Sequence, residues 1–365
     1  MENRTAHRLC IVCCTAAQIG LACLLLNSLS TIDNWSAVYA EDSKGYLLAA
    51  DFFRGIAVDD HDTALMRYRL FSPVIPFAAA QLGRIIDIRF AFVGINIFLW
   101  FATALVFYEL LRRLLLSGLS ACAGAVLFTT SLPVAQWGMP IMVDMGAYFF
   151  AALVPLLCRG RGKGQGLPSA VFCGLLAAVA VLTKPTLVFL LVFLAVRDIV
   201  ERKPSRALIT CASALLCIGG TYALLGLSVR EFSMYGAPRH RGLFYFCSAA
   251  FFCFHWGWIF FFDGCRYRTG GRRFCLAYLV SWLVLFVPFI HNPRLFFVCF
   301  PAVIPPVVYS LRKRCPDVRV LVLITAAYVC TSNCLTALHL YVMRTLAVRE
   351  PGALLEMLFA LLGHR

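Results

Sequence analysis

The stretch FAFVGINIFLWFATALVFYELL, residues 90–111, decides the fold class of this chain. It exceeds the roughly 20 residues that a helix needs to cross a bilayer, and Glu109 near its end is its one charged residue. Arg89 precedes the stretch, and Arg112 and Arg113 follow it. An apolar run with basic residues at both ends is typical of a membrane-spanning helix.

Similar apolar runs recur along the whole chain, at 9–30, 90–111, 115–135, 139–158, 169–183, 185–197, 207–226, 243–262, 274–290, 295–311 and 319–341. The composition agrees, with 61% hydrophobic residues, 14% charged residues and a mean hydropathy of +0.81. A soluble domain has about half apolar and about a quarter charged residues. We therefore predict an all-α integral membrane protein, a single transmembrane domain over residues 1–365, with about 11 transmembrane helices.

The net charge of +15 sits in short clusters between the apolar runs, such as residues 159–163 and 312–314. Such clusters are typical of cytoplasmic loops, so we expect no nucleic-acid partner. We place the N-terminus inside and treat a weaker run at 70–83 as a helix on the membrane surface. The inner segments then hold more than half of the 33 basic residues but a third of the 18 acidic ones. This predicts a cytoplasmic N-terminus. We expect a bacterial inner membrane, with an organelle membrane, whose outer side is the lumen, as the alternative.

The 17 cysteines lie almost entirely inside the apolar runs. Free cysteine in such surroundings behaves as a small hydrophobic residue. Because no CxxC pair stands beside a second pair or a histidine cluster, we interpret the cysteines as packing residues and expect no zinc site.

The first outer loop, residues 31–89, holds nearly half of the acidic residues of the chain. Within it, Glu41 and Asp42 precede an amphipathic stretch at 46–54, which predicts a helix along the membrane surface. Partial desolvation at this boundary would raise the pKa of the Asp42 carboxyl group toward the range of a general base. The alternative is a solvated loop whose acids only keep it outside.

Two further segments shape the expected topology. The sequence Thr183-Lys184-Pro185-Thr186 predicts a tight outer turn or a broken helix, because proline ends the preceding helix. Residues 342–365 form the C-terminal tail, in which leucines at 354, 355, 358, 361 and 362 predict a short helix at the outer interface.

The order of these features resembles the GT-C superfamily of membrane glycosyltransferases, which use polyprenyl-phosphate-linked sugars. Asp42 matches the first-loop acid of that family, and Glu41 gives the paired form seen in protein mannosyltransferases. The landmarks that follow are matched by Tyr46, Gly55, Arg69 and Pro73. Asp144 is similar to the second acid at the outer start of the fourth span, Lys184 to the basic junction between two short helices, and Arg294 to the late outer-loop arginine.

The resemblance implies transfer of a sugar from a polyprenyl-phosphate-linked donor to an acceptor on the outer face, with inversion at the anomeric carbon. Asp42 and Glu41 would be catalytic, and Lys184 and Arg294 would hold the departing lipid phosphate. Tyr46, Arg69 and Asp144 complete the implied substrate-binding residues. The chain lacks a WWDxG-type signature, which argues against an oligosaccharyltransferase.

Several alternatives stay open from the sequence. Lysine and arginine side chains near helix ends often extend to lipid head groups without any role in a site. Asp144 could equally be a metal ligand, or a residue at the start of a helix that the helix dipole favours. A lipid-linked substrate transporter or flippase, and a non-catalytic GT-C-like subunit, are the competing functions. The sequence leaves open the sugar, the acceptor and a divalent metal ion, and it has no glycine-rich nucleotide-phosphate motif.

Overall fold

The computed structural model describes residues 4–27, 40–114, 116–138, 140–159, 166–228, 242–265, 271–286 and 293–346. Within these ranges all regular secondary structure is helical. The α-helices are α1 (Arg4–Asn27), α2 (Ala40–Phe53), α3 (Asp60–Arg69), α4 (Val74–Leu82), α5 (Ile88–Arg113), α6 (Gly118–Thr129), α7 (Leu132–Trp137), α8 (Asp144–Arg159), α9 (Leu167–Thr183), α10 (Phe189–Val200), α11 (Pro204–Leu224), α12 (Gly242–Phe254), α13 (Gly257–Cys265), α14 (Arg272–Phe286), α15 (Pro293–Phe296), α16 (Phe300–Arg314) and α17 (Val318–Leu346).

Five helices of the described chain are long and apolar enough to cross a membrane: Arg4–Leu24, Ile88–Arg113, Pro204–Leu224, Arg294–Arg314 and Val318–Leu338. Shorter apolar helices cover Gly118–Thr129, Asp144–Cys158 and Leu167–Thr183. The all-helical fold is therefore confirmed, and the long apolar helices indicate a membrane protein.

Several apolar runs that the sequence presents as continuous are broken in the structure. The run 115–135 divides into α6 and α7, and Pro133 in the first turn of α7 cannot continue the hydrogen bonds of α6. The run 139–158 becomes helical only at Asp144. Pro185 likewise ends α9, and a 3₁₀ turn, Pro185–Val188, leads into α10. The expected interruption after Thr183 is thus confirmed.

The described segments between residues 40 and 82 that the sequence predicts to be surface helices are helical. The amphipathic stretch lies in α2, which is followed by Gly55 in the left-handed conformation, with φ of +76°. The weaker run at 70–83 contains α4, which spans nine residues and is about 13 Å long, too short to cross a bilayer. Residues 347–365 lie outside the described part, so the expected C-terminal helix is not described.

Contacts that mostly involve charged side chains form two sets near helix ends, whereas contacts between uncharged side chains, such as that of Gln18 with Asn333, also lie within the helices. One set joins Arg8 to Glu109, Arg113 to the carbonyl of Leu156, Arg197 to the carbonyl of Cys158, and Arg314 to Asp263. The other joins Asp42 to Arg69 and Arg294, Asp144 to Lys184, and Tyr222 to the carbonyl of Phe71. Each of these contacts joins helix ends that the sequence-based topology assigns to the same side.

A continuous hydrophobic core lies between these two sets of contacts. Its centre includes an aromatic layer in which Phe297 stacks on Phe128, Phe254 and Phe300. The 17 cysteines are all free thiols, and six of them are buried in the helical core. The interpretation of cysteine as a packing residue therefore fits the structure.

Candidate functional site

Asp42 lies between two arginines that come from distant parts of the chain. Its Oδ2 accepts a hydrogen bond of 2.8 Å from Nη1 of Arg294, and its Oδ1 pairs with Arg69. Asp42 lies on α2 and its side chain is 24% exposed. Arg69 on α3 is 10% exposed, and Arg294 on α15 is 22% exposed. The arrangement is a carboxylate held by two guanidinium groups at the edge of the bundle.

The expected effect of this environment on Asp42 is wrong in sign. Burial alone would raise the pKa of its carboxyl group, which is the effect expected from its position at the membrane boundary. The charges of Arg294 and Arg69 outweigh burial, however, and hold the pKa of Asp42 below its ordinary value of 3.8. Asp42 is therefore a carboxylate at neutral pH, and it is already paired.

Arg69 is positioned by aromatic rings and by a glycine. Its guanidinium carbon lies 4.9 Å from the ring centre of Tyr46 and 4.7 Å from that of Tyr68, distances typical of cation–π contacts. Tyr46 is only 3% exposed, so Arg69 packs against a buried ring. Gly45 leaves room for this approach, because a Cβ atom there would lie 2.8 Å from Cγ of Arg69.

Replacement of Gly45 by alanine should disturb the site through this contact. The added methyl group would meet both Arg69 and the Cγ atom of Leu65, which lies 3.1 Å away, so Arg69 must shift from Asp42. For a reaction that uses this site, we expect a loss of rate on the order of tenfold, about 1.4 kcal/mol. Gly94→Ala is the matched control, because nothing lies within 4 Å of its added methyl group. Equal activities of the two variants would contradict this role.

A second acid–cation pair lies deeper in the molecule. Lys184 Nζ bonds to Oδ1 of Asp144, with the lysine and aspartate side chains 7% and 1% exposed. Lys184 has an extended backbone, with φ of −155° and ψ of 118°, at the point where α9 ends. The proline after it fixes the break, so the cation is presented at the end of α9 instead of continuing the helix.

Buried polar side chains hold the segments that carry Asp144 and Arg294. Asn96 on α5 donates to the carbonyl oxygens of Pro140, at 2.7 Å, and Met142, at 3.2 Å, just before Asp144. Tyr148, one turn further along α8, donates to the carbonyl of Arg294 at 3.3 Å. The acid and the distant arginine are therefore tied to the same helix.

The two pairs belong to one electrostatic centre. Lys184 is among the cations that lower the pKa of Asp42, although it pairs directly with Asp144. Arg69, Lys184 and Arg294 bring three positive charges against the two carboxylates. Among the described side chains, the centre thus has one more positive than negative charge, which suits an anionic ligand.

The structure brings together six of the seven residues singled out from the sequence: Asp42, Tyr46, Arg69, Asp144, Lys184 and Arg294. The side chain of Glu41 lies outside the described part. The supporting roles of Gly45, Asn96 and Tyr148 were missed. Only Gly45, three residues after Asp42, offered a signal, since Asn96 and Tyr148 lie within apolar runs.

The expected phosphate-binding cations contact carboxylates of the same site. Lys184 and Arg294, which the resemblance assigns to the departing lipid phosphate, each contact an aspartate, as does Arg69. Among the described residues, no group of three histidine, cysteine, aspartate or glutamate side chains is placed to hold a metal ion. The site as described is therefore organised around carboxylate–cation pairs.

Comparison with known proteins gives no further assignment: no family model matches the chain, and no curated protein matches it.

Proposed function

We propose that the chain is a membrane glycosyltransferase of the GT-C type. It moves a sugar from a polyprenyl-phosphate-linked donor to an acceptor on the outer, periplasmic or lumenal, face. The observation that carries this proposal is the convergence of Asp42, Arg69 and Arg294, from three separate segments, beside the Asp144–Lys184 pair. An acid for the acceptor and cations for a phosphate leaving group are the two requirements of this chemistry.

The arginines are suited to the phosphate of the donor. A guanidinium group binds phosphate in the same forked geometry with which it binds carboxylate. Arg294 and Arg69 can therefore release the carboxylate of Asp42 and bind the donor phosphate instead. Negative charge develops on that phosphate as the sugar departs. Fixed cations in a partly buried site stabilise this charge more than water does.

Asp42 acts once the arginines contact the phosphate. The acceptor hydroxyl attacks the anomeric carbon while its proton passes to the carboxylate of Asp42. The bond between the anomeric carbon and the phosphate oxygen breaks, and its electron pair leaves with the polyprenyl phosphate. The pairing with Arg69 and Arg294 keeps Asp42 ionised but lowers its affinity for a proton. Asp42 therefore becomes a stronger base when these arginines turn to the phosphate.

The surrounding architecture supports an outer-face site in a multi-span protein. We place about 11 spans across the bilayer, the N-terminus in the cytoplasm and the acid–cation centre at the outer end, in a bacterial inner membrane. The separation of the charged contacts into two sets favours this arrangement. A transporter instead places charged residues near the centres of its spans. In the helices of the described ranges, aspartate, glutamate, lysine and arginine lie toward the ends.

The test uses the full-length protein in liposomes that contain farnesyl phosphodiesters of hexoses or pentoses, together with membrane glycan and lipid acceptors. We expect release of farnesyl phosphate in step with sugar transfer. Movement of an intact phosphodiester between leaflets would instead identify a transporter, and binding without either reaction would identify a non-catalytic subunit.

A further inference from the structure

Asp144 has a second carboxylate oxygen that the Lys184 pair does not use. Oδ1 bonds to Lys184, whereas Oδ2 is buried and accepts no hydrogen bond from the described residues. An ionised oxygen that is buried without a donor is costly, so such an atom indicates a missing ligand group or water. What this oxygen requires is a hydrogen-bond donor.

Two buried hydroxyl groups, on the segments that follow Arg69 and Lys184, also have no partner within the described chain. They are Oγ of Ser72, which follows α3, and Oγ1 of Thr186, which lies just beyond Lys184. Hydroxyl groups in protein interiors are normally hydrogen-bonded, often to a backbone carbonyl of their own helix. Thr183 illustrates this, because its hydroxyl donates to the carbonyl of Val179 at 2.8 Å.

The close contact of Gly146 brings the segments that carry these oxygens together. A Cβ atom on Gly146 would lie 2.7 Å from Cγ2 of Thr183 and 3.1 Å from Cδ1 of Ile75, so the first turn of α8 touches both neighbours. Ser72 lies three residues before Ile75, and Thr186 lies three residues after Thr183. Both hydroxyl-bearing segments therefore border the turn that begins at Asp144.

We propose that Asp144 Oδ2, Ser72 and Thr186 form the subsite that recognises the hydroxyl groups of the donor sugar. The inference rests on the proposed function and names the part of the donor that these residues contact. A carboxylate oxygen accepts from a sugar hydroxyl, and the serine and threonine hydroxyls donate or accept in turn. This combination suits a neutral polyhydroxylated ring, because a carboxylated sugar would bring a second negative charge against Asp144.

Asp144 is more deeply buried than the residues that would contact the phosphate, which fits a role in binding the sugar. Asp42 and Arg294 keep 24% and 22% of their side-chain surface exposed, whereas Asp144 keeps 1%. The phosphate therefore engages the accessible arginine layer, and the sugar occupies the deeper polar positions. A metal ion is a poorer occupant, because Lys184 already places an ammonium group on Asp144.

The experiment compares the full-length protein with the Ser72→Ala/Thr186→Val variant in binding two kinds of probe, farnesyl phosphate and its glycosyl esters with uncharged sugars. We expect the wild-type protein to bind at least one glycosyl ester more tightly than farnesyl phosphate. The variant should lose about tenfold in affinity for that ester and less than about twofold for farnesyl phosphate, because two neutral hydrogen bonds are removed.

Two further variants separate recognition from folding. Thr186→Ser keeps the hydroxyl group and should bind the ester like the wild type. Ser281→Ala removes a buried hydroxyl that bonds to the carbonyl of Ala277, away from the site, and should not change either affinity. If the double variant is poorly folded, Thr186→Val alone is compared with Thr186→Ser.

The outcomes distinguish this inference from the function on which it rests. A wild-type protein that binds farnesyl phosphate and its esters equally would overturn the sugar subsite and leave the phosphate site intact. A wild-type protein that binds neither probe would overturn the proposed function and the subsite with it. An unchanged ester affinity in the double variant would show that the hydroxyl groups contact only water.

Discussion

Replacement of Asp42 by asparagine should abolish sugar transfer while donor binding becomes tighter. The asparagine cannot take the proton of the acceptor hydroxyl, and general-base catalysis contributes about 10²–10⁴-fold, so we expect a fall in kcat on the order of 10³-fold. At the same time the arginines lose the carboxylate that competes with the donor phosphate. The KM for a farnesyl-phosphate-linked sugar should therefore fall, or at least not rise.

This split between kcat and KM separates a catalytic role from a structural one. If Asp42 only held Arg69 and Arg294 in place, its loss would weaken donor binding. Asp51 provides the matched control, because it lies on the same helix and forms an ion pair of 3.1 Å with Arg54 at the exposed surface. Asp51→Asn should keep transfer within about twofold of wild type, since exposed pairs contribute little. An active Asp42→Asn enzyme would end the assignment of Asp42 as the base.

Much of the helical organisation could be predicted from the sequence because each apolar segment is bounded by residues with a strong local preference. Pro185 after Lys184 predicts a break, and the break is present. The interruption within 243–262 was not predicted, because a single glycine such as Gly257 is often tolerated inside a helical pattern. His255, between α12 and α13, has a positive φ of 30°.

The residues of the site could be predicted from the sequence, but the ion pairs between them could not. The early acid and the late arginine were placed on one side by charge distribution alone, and the contact between Asp42 and Arg294 agrees with this. Nothing in the spacing showed that the same arginine would bond to Asp42 and lower its pKa. The lowered pKa of Asp42 depends on a tertiary contact. The sequence indicated only a position at the membrane boundary, where desolvation alone would raise the pKa.

Asn96 and Ser72 show a second limit of sequence reasoning. Asn96 is one polar residue inside the long apolar run that decides the fold, and it is equally compatible with a lipid-facing or an interior position. Its two bonds to the segment before Asp144 exist only because α5 and α8 lie side by side. Ser72 likewise has significance only because α4 brings its segment against α8.

Replacement of Lys184 by methionine should cause the largest loss of stability among substitutions at this site. It would leave the Asp144 carboxylate, 1% exposed, without its cation. Removal of one partner from a buried ion pair costs about 3–5 kcal/mol, because the remaining charge is neither solvated nor neutralised. We expect a clear fall in the thermal unfolding midpoint of the purified full-length protein in detergent.

The double variant Lys184→Met/Asp144→Asn provides the decisive comparison. It removes both charges, so most of the lost stability should return, as when a buried pair is replaced by neutral groups of similar size. Lys203→Met is the control, because its pair with Glu201 is exposed, and a surface pair contributes less than about 1 kcal/mol. Transfer should stay impaired in the stabilised double variant, since the charges beside Arg294 are then missing. Full activity there would show that the Asp144–Lys184 pair only supports the fold.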